Sequence, residues 1–416
     1  MPLTLAQMDA AAAALDAVLP LERPADVALS AFFRTRNKLG GRDRAFVAEA
    51  VYGVLRRLRS LEFVAGRRAA RPLLMAWLAR HGGVNQREVA ALLLPTELEQ
   101  FRAAKAVNLD GESLALRLDL PDWLFERLHA EYGERLPALM EALNRPAPLD
   151  LRVNTLKGDR VAVLAQLTAD GIRAEAMPYA PQGIRLADKI ALQRHPLFVA
   201  GAIEVQDEGS QLLSLITGAR RGEMVCDFCA GAGGKTLALG AQMHNTGRLY
   251  AFDISPKRLA NLKPRLARSG LSNVHPQLLT GEHDARIKRL AGKFDRVLVD
   301  APCSGLGTLR RNPDLKWRQS PESVAELTQK QTAILASASR LVKPGGSLVY
   351  ATCSLLSEEN QGIVAAFAET HPEFTQVPVG ERLRGHCPAL AGAESLQLAP
   401  DTQGTDGFFA ALWVRR

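Results

Sequence analysis

From Gly222 onward the chain repeats one pattern: a short apolar run, a glycine-bearing turn, then residues with helical periodicity. This alternation predicts a parallel, doubly wound sheet, because parallel strands need long crossovers and a helix is the usual one. Ligands of such sheets bind beyond the carboxyl ends of the strands. Two runs stand out. "RVLVDAPCSGLG" carries Val297, Leu298 and Val299 into Asp300-Ala301-Pro302-Cys303, and "SLVYATCSLL" carries Leu348, Val349 and Tyr350 into Ala351-Thr352-Cys353. Each apolar run delivers a cysteine to a strand end. An isolated cysteine is more often a small buried hydrophobe. Two at matching strand ends point to chemistry.

A third run opens the sheet. "MVCDFCAGAGGKTLALGAQM" reads as strand, tight turn and helix, with Gly231, Gly233 and Gly234 allowing backbone to approach a ligand. The turn matches neither G-x-x-x-x-G-K-[ST] nor G-x-G-x-x-G, and nothing beyond Lys235 favours a pyrophosphate. The next strand, "RLYAFDIS", ends in Asp253, where a carboxylate can accept both ribose hydroxyls of a nucleoside. An adenosine without phosphates, S-adenosylmethionine, fits best. The predicted cofactor cradle is Cys229, Ala230, Gly231, Ala232, Gly233, Gly234 and Lys235 with Asp253. In "LLTGEHDARIKRL", Asp284 is a candidate for the adenine amino group; Glu282 competes with it, and an N-cap is the alternative role.

Upstream, residues 1–118 read as helical. "DRAFVAEAVYGVLRRLRSLEFVAG" spaces its apolar residues every three or four positions, with Asp43 as the expected N-cap. Residues 119–200 read as a small mixed α/β unit and residues 201–416 as the doubly wound domain. The stretch 34–71 holds eleven Lys/Arg against three acids, an excess equal to the whole chain's net charge of +8. Clustered arginine predicts a polyanion, with nucleic acid the usual one, and a merely solvated helix face is the other reading. No apolar run nears the roughly 20 residues of a membrane span. The start reads as a helix, not a signal peptide. Five cysteines in 416 residues make no disulfide framework, which predicts reduced thiols and a cytoplasmic protein. Cys226 and Cys229 form a lone C-x-x-C without a partner pair, so no metal is expected.

"DFCAGAGGKT", "FDIS", "VDAPCSGLGTLRRNPDLKW" and "YATCSLLSEEN" together resemble the Sun/Fmu (RsmB-like) RNA cytosine-5 methyltransferases. The likeness continues through "LRVNTLKG" and "FVAGAIEVQDEGSQL". The helical start is similar to the NusB-like RNA-binding domain of the ribosomal branch. One departure is Ala232, where the family usually carries proline. The resemblance implies a Rossmann-like methyltransferase domain behind a small α/β linker domain and a NusB-like domain. It implies S-adenosylmethionine as cofactor and small-subunit rRNA as target. A tRNA cytosine-5 methyltransferase and a non-catalytic RNA-binding assembly factor are the alternatives. A monomer without an obligate protein partner is expected.

Such chemistry has a use for two thiols. Carbon 5 of cytosine is a poor nucleophile until a thiolate adds to carbon 6, and the adduct must later be released. The resemblance assigns Cys353 as nucleophile, Cys303 to release, and Asp300 to nitrogen 3 of the base. The residues alone leave the order of the two cysteines open. Asp300 also falls where it can border the cofactor. Lys235 can contact the base or the methionine carboxylate, or only cap the turn. In "RRNPDLKWR", Arg310, Arg311, Lys316 and Arg318 can hold phosphates while Trp317 stacks on a base, or Trp317 is simply buried.

Overall fold

The computed structural model describes residues 3–416. It divides into two compact units, one formed by the chain up to Pro146 with Thr308–Pro321, the other by Ala147–Gly307 with Glu322–Arg416.

The first unit is helical. Leu5–Val18, Ala25–Thr35, Gly41–Arg56, Leu58–Ala65, Ala70–Arg80 and Pro95–Ala106 are its main early helices. Their apolar stripes meet in one core around Leu15, Val51, Leu55, Leu61 and Leu73. The helix expected from Asp43 differs in two ways. It begins at Gly41 with Gly40 as its N-cap, and it breaks at Arg57 before the next helix. The Asp43 carboxylate instead accepts from the Gln7 amide at 2.9 Å.

Thr308–Pro321 completes this unit. Asp314 Oδ2 accepts the Ala25 N–H at 3.1 Å, and Trp317 Nε1 donates to the Leu55 carbonyl at 2.7 Å. Lys316 Nζ donates to the Arg56 carbonyl at 2.8 Å and to Asn144 Oδ1 at 3.0 Å, with the whole side chain buried. Arg56 Nη2 in turn donates to the Arg310 carbonyl at 2.9 Å. Lys316, read as a possible RNA contact, is therefore spent inside the fold, and the half-buried Trp317 packs against the helical core. Much of the basic stretch is spent too. Arg57 pairs with Asp119 at 3.5 Å, Arg59 with Asp122 at 2.8 Å, and Arg71 with Glu97 at 2.7 Å. Arg34, Lys38 and Arg67 remain exposed.

The second unit holds two sheets. Strands β1 (Leu149–Val153), β2 (Ala174–Ala176), β3 (Gly183–Leu186) and β4 (Ile203–Val205) form an antiparallel sheet in the order β2-β3-β1-β4. The larger sheet comprises β5 (Met224–Asp227), β6 (Arg248–Asp253), β7 (Val274–Leu278), β8 (Phe294–Asp300), β9 (Val342–Thr352), β10 (Phe374–Val377), β11 (Leu396–Leu398) and β12 (Phe408–Arg415). Its order is β10-β12-β9-β8-β5-β6-β7, with β11 added to β12. The strands from β5 to β9 pair in parallel, and β12 pairs antiparallel to β9. Val297, Leu298, Val299, Leu348, Val349 and Tyr350 are all fully buried, as strands covered on both faces require. Among the described residues no helix is long and apolar enough to cross a membrane.

The unit boundary falls at Pro146, so helices Asp122–Tyr132 and Leu136–Leu143 go with the helical unit. The sequence pattern begins the mixed unit at residue 119, and the strands of that unit lie within the second compact unit.

Burial pushes the Lys316 ammonium down from 10.5 to about 7, although the nearby Asp119 charge opposes the shift. The folded pKa thus lies below the unfolded one. Between the two values the unfolded chain holds the extra proton, and stability rises with pH. Lys316→Met should remove about 1.4 kcal/mol of that gain per pH unit. Comparing denaturant midpoints of wild type and variant near about pH 7.5 and about pH 9.5 checks this. Equal pH slopes in the two proteins would contradict it.

Candidate active site

The parallel register of β8 and β9 sets Asp300 opposite Ala351, so both strands end at one level. The Ala301 N–H still donates to the Ala351 carbonyl at 2.9 Å. Pro302 has no N–H to continue the ladder, and the chain turns away. Cys303 follows at once, and Cys353 is the first residue past β9. Their sulfurs lie 3.4 Å apart, and the Cys353 N–H points to Cys303 Sγ at 3.3 Å. Gly307 permits this approach. Its N–H donates to the Cys353 carbonyl at 2.8 Å, and a Cβ there would stand 2.3 Å from the Gly407 carbonyl oxygen.

Hydrogen bonding to the Cys353 thiol, and then burial, hold the Cys303 thiol well above its ordinary pKa. Cys303 is therefore protonated at neutral pH. Beside it, Lys235 Nζ donates to Asp300 Oδ2 at 2.6 Å. Burial opposes the Lys235 charge, but Asp300 outweighs it and raises the ammonium pKa.

The glycine turn lies at the end of β5. Gly233 caps the helix Gly234–Gln242 with φ +84°, and a Cβ there would fall 2.0 Å from Leu262 Cδ1. Asp253, ending β6, accepts the Gly231 N–H at 2.8 Å and the Ser255 N–H at 2.7 Å. The Ala232 carbonyl accepts from Arg265 Nη1 at 2.7 Å, a side-chain tether on the turn.

These elements border one cleft of about 790 Å³. Cys229, Ala230, Gly231, Ala232, Gly234, Lys235, Asp253, Asp300, Cys303 and Cys353 all line it. Gly233 shapes the turn from behind. Asp284 takes the N-cap role that was its alternative reading. Its carboxylate accepts the Thr280 N–H at 2.9 Å and the Arg286 N–H at 2.8 Å, capping the helix Ala285–Arg289. Glu282, its competitor, lines the cleft instead.

Asp227 was missed from sequence. It ends β5 and lines the cleft, and burial pushes its carboxyl up to about 7 although the Thr236 hydroxyl donates to it at 2.6 Å. Its Oδ1 is buried without a hydrogen-bond partner. An acid closing the strand before a glycine turn is the signal that could have marked it. Ile254, 69% exposed, and Arg258 also border the cleft. A second cavity, about 590 Å³, opens near Arg152, Gln211 and Arg382 and holds neither thiol.

The family model of the 16S rRNA methyltransferases RsmB/F matches residues 215–414. A model of the RsmF/B-like ferredoxin-like domain matches residues 120–193. Ribosomal RNA small subunit methyltransferase B of Sodalis glossinidius is 33% identical over 406 residues, covering 91% of each chain. A probable ribosomal RNA small subunit methyltransferase B of Synechocystis is 32% identical over 413 residues, covering 90% of this chain and 92% of that one. Among solved structures, a methyltransferase homologue from Pyrococcus horikoshii is 30% identical with a TM-score of 0.63, covering 73% of this chain and 97% of its own.

The effect of Cys353 on Cys303 is testable. Because Cys353 is the first cause of the raised Cys303 pKa, Cys353→Ala should lower the pH at which Cys303 is alkylated. Peptide mass spectrometry after pulses of iodoacetamide across a pH series reads the midpoint. An unchanged midpoint would mean that the neighbouring thiol does not control Cys303.

Proposed function

We propose that this chain, which belongs to the 16S rRNA methyltransferase RsmB/F family, methylates carbon 5 of a cytosine in small-subunit rRNA through a bond between Cys353 and the base. The observation that carries this reading is the pair of sulfurs 3.4 Å apart in the cleft that the glycine turn also lines. A scaffold that only bound RNA would need neither thiol.

S-Adenosylmethionine is the cofactor, and it supplies the electrophilic methyl group. The residues present fit it. Asp253 ends β6 where a nucleoside ribose is held in this class of sheet. The buried, unpartnered Oδ1 of Asp227 is an acceptor suited to a ligand ammonium. Ile254 offers an apolar surface beside Asp253 for an adenine ring.

The chain's own residues then divide the work. Cys353 loses its thiol proton to solvent and adds through sulfur to carbon 6 of the cytosine, and the pair of electrons from the 5,6 double bond makes carbon 5 nucleophilic. The protonated Cys303 thiol can donate to the Cys353 sulfur before attack. Asp300 holds nitrogen 3 of the base through a proton carried by one of the two. Its Oδ2 is engaged by Lys235, which fixes the carboxylate and balances its charge. After methylation the proton on carbon 5 must leave, the double bond reforms, and the Cys353 sulfur departs with its bonding pair. A bonded Cys353 no longer raises the Cys303 pKa through its thiol. The Cys303 thiol then gives up its own proton to solvent more readily, and the thiolate so formed can take the proton from carbon 5. Exposed Arg34, Lys38 and Arg67 on the helical unit are suited to RNA phosphates.

Two experiments bear on this. Asp253→Ala should weaken S-adenosylmethionine binding by about 1.5–3 kcal/mol, the range for a hydrogen bond to a charged group. Calorimetry reads it, and an unchanged affinity in a folded variant removes the ribose role. Denaturing electrophoresis with labelled rRNA separates the thiols. Cys353→Ala should form no covalent RNA complex, whereas Cys303→Ala should accumulate one. The opposite pattern would exchange the two roles. No complex from either, with methylation still measurable, would remove covalent catalysis.

A further inference from the structure

Behind the two thiols lies a carboxylate that the mechanism above does not use. Glu359 sits in the single turn Ser357–Glu359 and is fully buried. Four donors converge on it. Oε1 accepts the Ser304 N–H at 2.8 Å and the Gln331 amide at 2.9 Å. Oε2 accepts the Ser304 hydroxyl at 2.5 Å and the Ser354 hydroxyl. Ser304 and Ser354 each immediately follow one of the two cysteines. Their hydroxyl oxygens are 3.1 Å apart, so the two Cys-Ser dipeptides are joined side by side through one carboxylate.

The surroundings fix that carboxylate in turn. The Tyr350 hydroxyl donates to the Glu359 carbonyl at 2.7 Å, which ties the turn to β9. Gln331 also donates to the Pro302 carbonyl at 3.0 Å, which ties it to the turn before Cys303. Asn360, next in the chain, accepts from the Thr352 hydroxyl at 2.5 Å and donates to the Ser354 carbonyl at 3.1 Å. A buried carboxylate is costly unless its lone pairs are matched. Here they are matched, and three of the four donors come from the two residues that set where the sulfurs point.

We propose that Glu359 is a positioning residue that fixes the separation of Cys303 and Cys353 by clamping both Cys-Ser turns through Ser304 and Ser354. Two-thiol chemistry needs this because a displacement of about 1 Å in a reacting group can cost about a hundredfold in rate. The last register pair of the two strands is Asp300 with Ala351, and the sulfur-to-sulfur contact beyond it runs between side chains. The inference deepens the proposed use of the two thiols and rests on that reading for its meaning, but its test does not depend on methyl transfer.

The test measures thiol spacing directly. In a glutathione buffer one thiolate attacks glutathione disulfide and releases one glutathione as its thiolate. The second thiolate then attacks the mixed disulfide and releases the other. Two protein thiols are oxidised, and one glutathione disulfide is reduced to two glutathiones. The effective concentration of the pair follows from the fraction of Cys303–Cys353 disulfide in peptide maps. Glu359→Gln keeps the side-chain size but sets an amide N–H against hydroxyl donors, and should lower that concentration at least tenfold. S-Adenosylmethionine affinity should stay unchanged, as a check on the fold. With labelled RNA, kcat should fall while KM holds. If Glu359→Gln does not fold, Ser304→Ala with Ser354→Ala removes both hydroxyl donors from the clamp without touching the carboxylate and should lower that concentration in the same direction. A wild-type effective concentration in a folded variant of either kind overturns the inference. Methylation failing in the wild-type protein, with the spacing effect intact, would instead count against the proposed function.

Discussion

The parallel pairing of β8 with β9 is the constraint on which the site depends. It fixes the level of two strand ends. Because Pro302 ends one ladder and Thr352 the other, the chain emerges from both strands together. Cys303 and Cys353, distant in sequence, then meet at 3.4 Å. A shift of one residue in that register would turn alternate side chains to the opposite face and separate them. The buried Val297–Val299 and Leu348–Tyr350 runs oppose such a shift. The same residues that build the core therefore locate the chemistry.

Charge is arranged around this frame with matched partners. Asp300 and Lys235 neutralise each other inside the cleft. Asp253 is held by two backbone N–H groups, and Glu359 by four donors. Asp227 is the exception, with one oxygen engaged and one buried without a partner. An incompletely satisfied acid in a cleft costs stability unless something else completes it. Its position beside the glycine turn makes a bound ligand the natural completion.

The features legible in the sequence are local ones. The β5 turn needs glycine at positive φ, both cysteines sit one turn past apolar runs, and Asp253 ends its strand. Each follows from a short window with its own periodicity or dihedral demand. What could not be read locally is what distant segments do to one another. "RRNPDLKWR" looks like a basic loop with an aromatic, yet Lys316 is buried and Trp317 donates to Leu55. Arg57 and Arg59 look like free charge but meet Asp119 and Asp122. Asp284 looked available because its own N-cap bond involves a neighbour only two residues away, a role that many exposed acids share. The Glu359 clamp joins residues from three segments, and no window contains them all.

The proposed chemistry ends in a methyl group on carbon 5 of a cytosine in small-subunit rRNA. The most direct measurement incubates the purified protein with rRNA from cells lacking it and methyl-labelled S-adenosylmethionine. The RNA is then digested to nucleosides, which are separated and identified. Label confined to 5-methylcytidine is the predicted result. Label in a ring-nitrogen or ribose methyl group, from protein with both thiols intact, would contradict it.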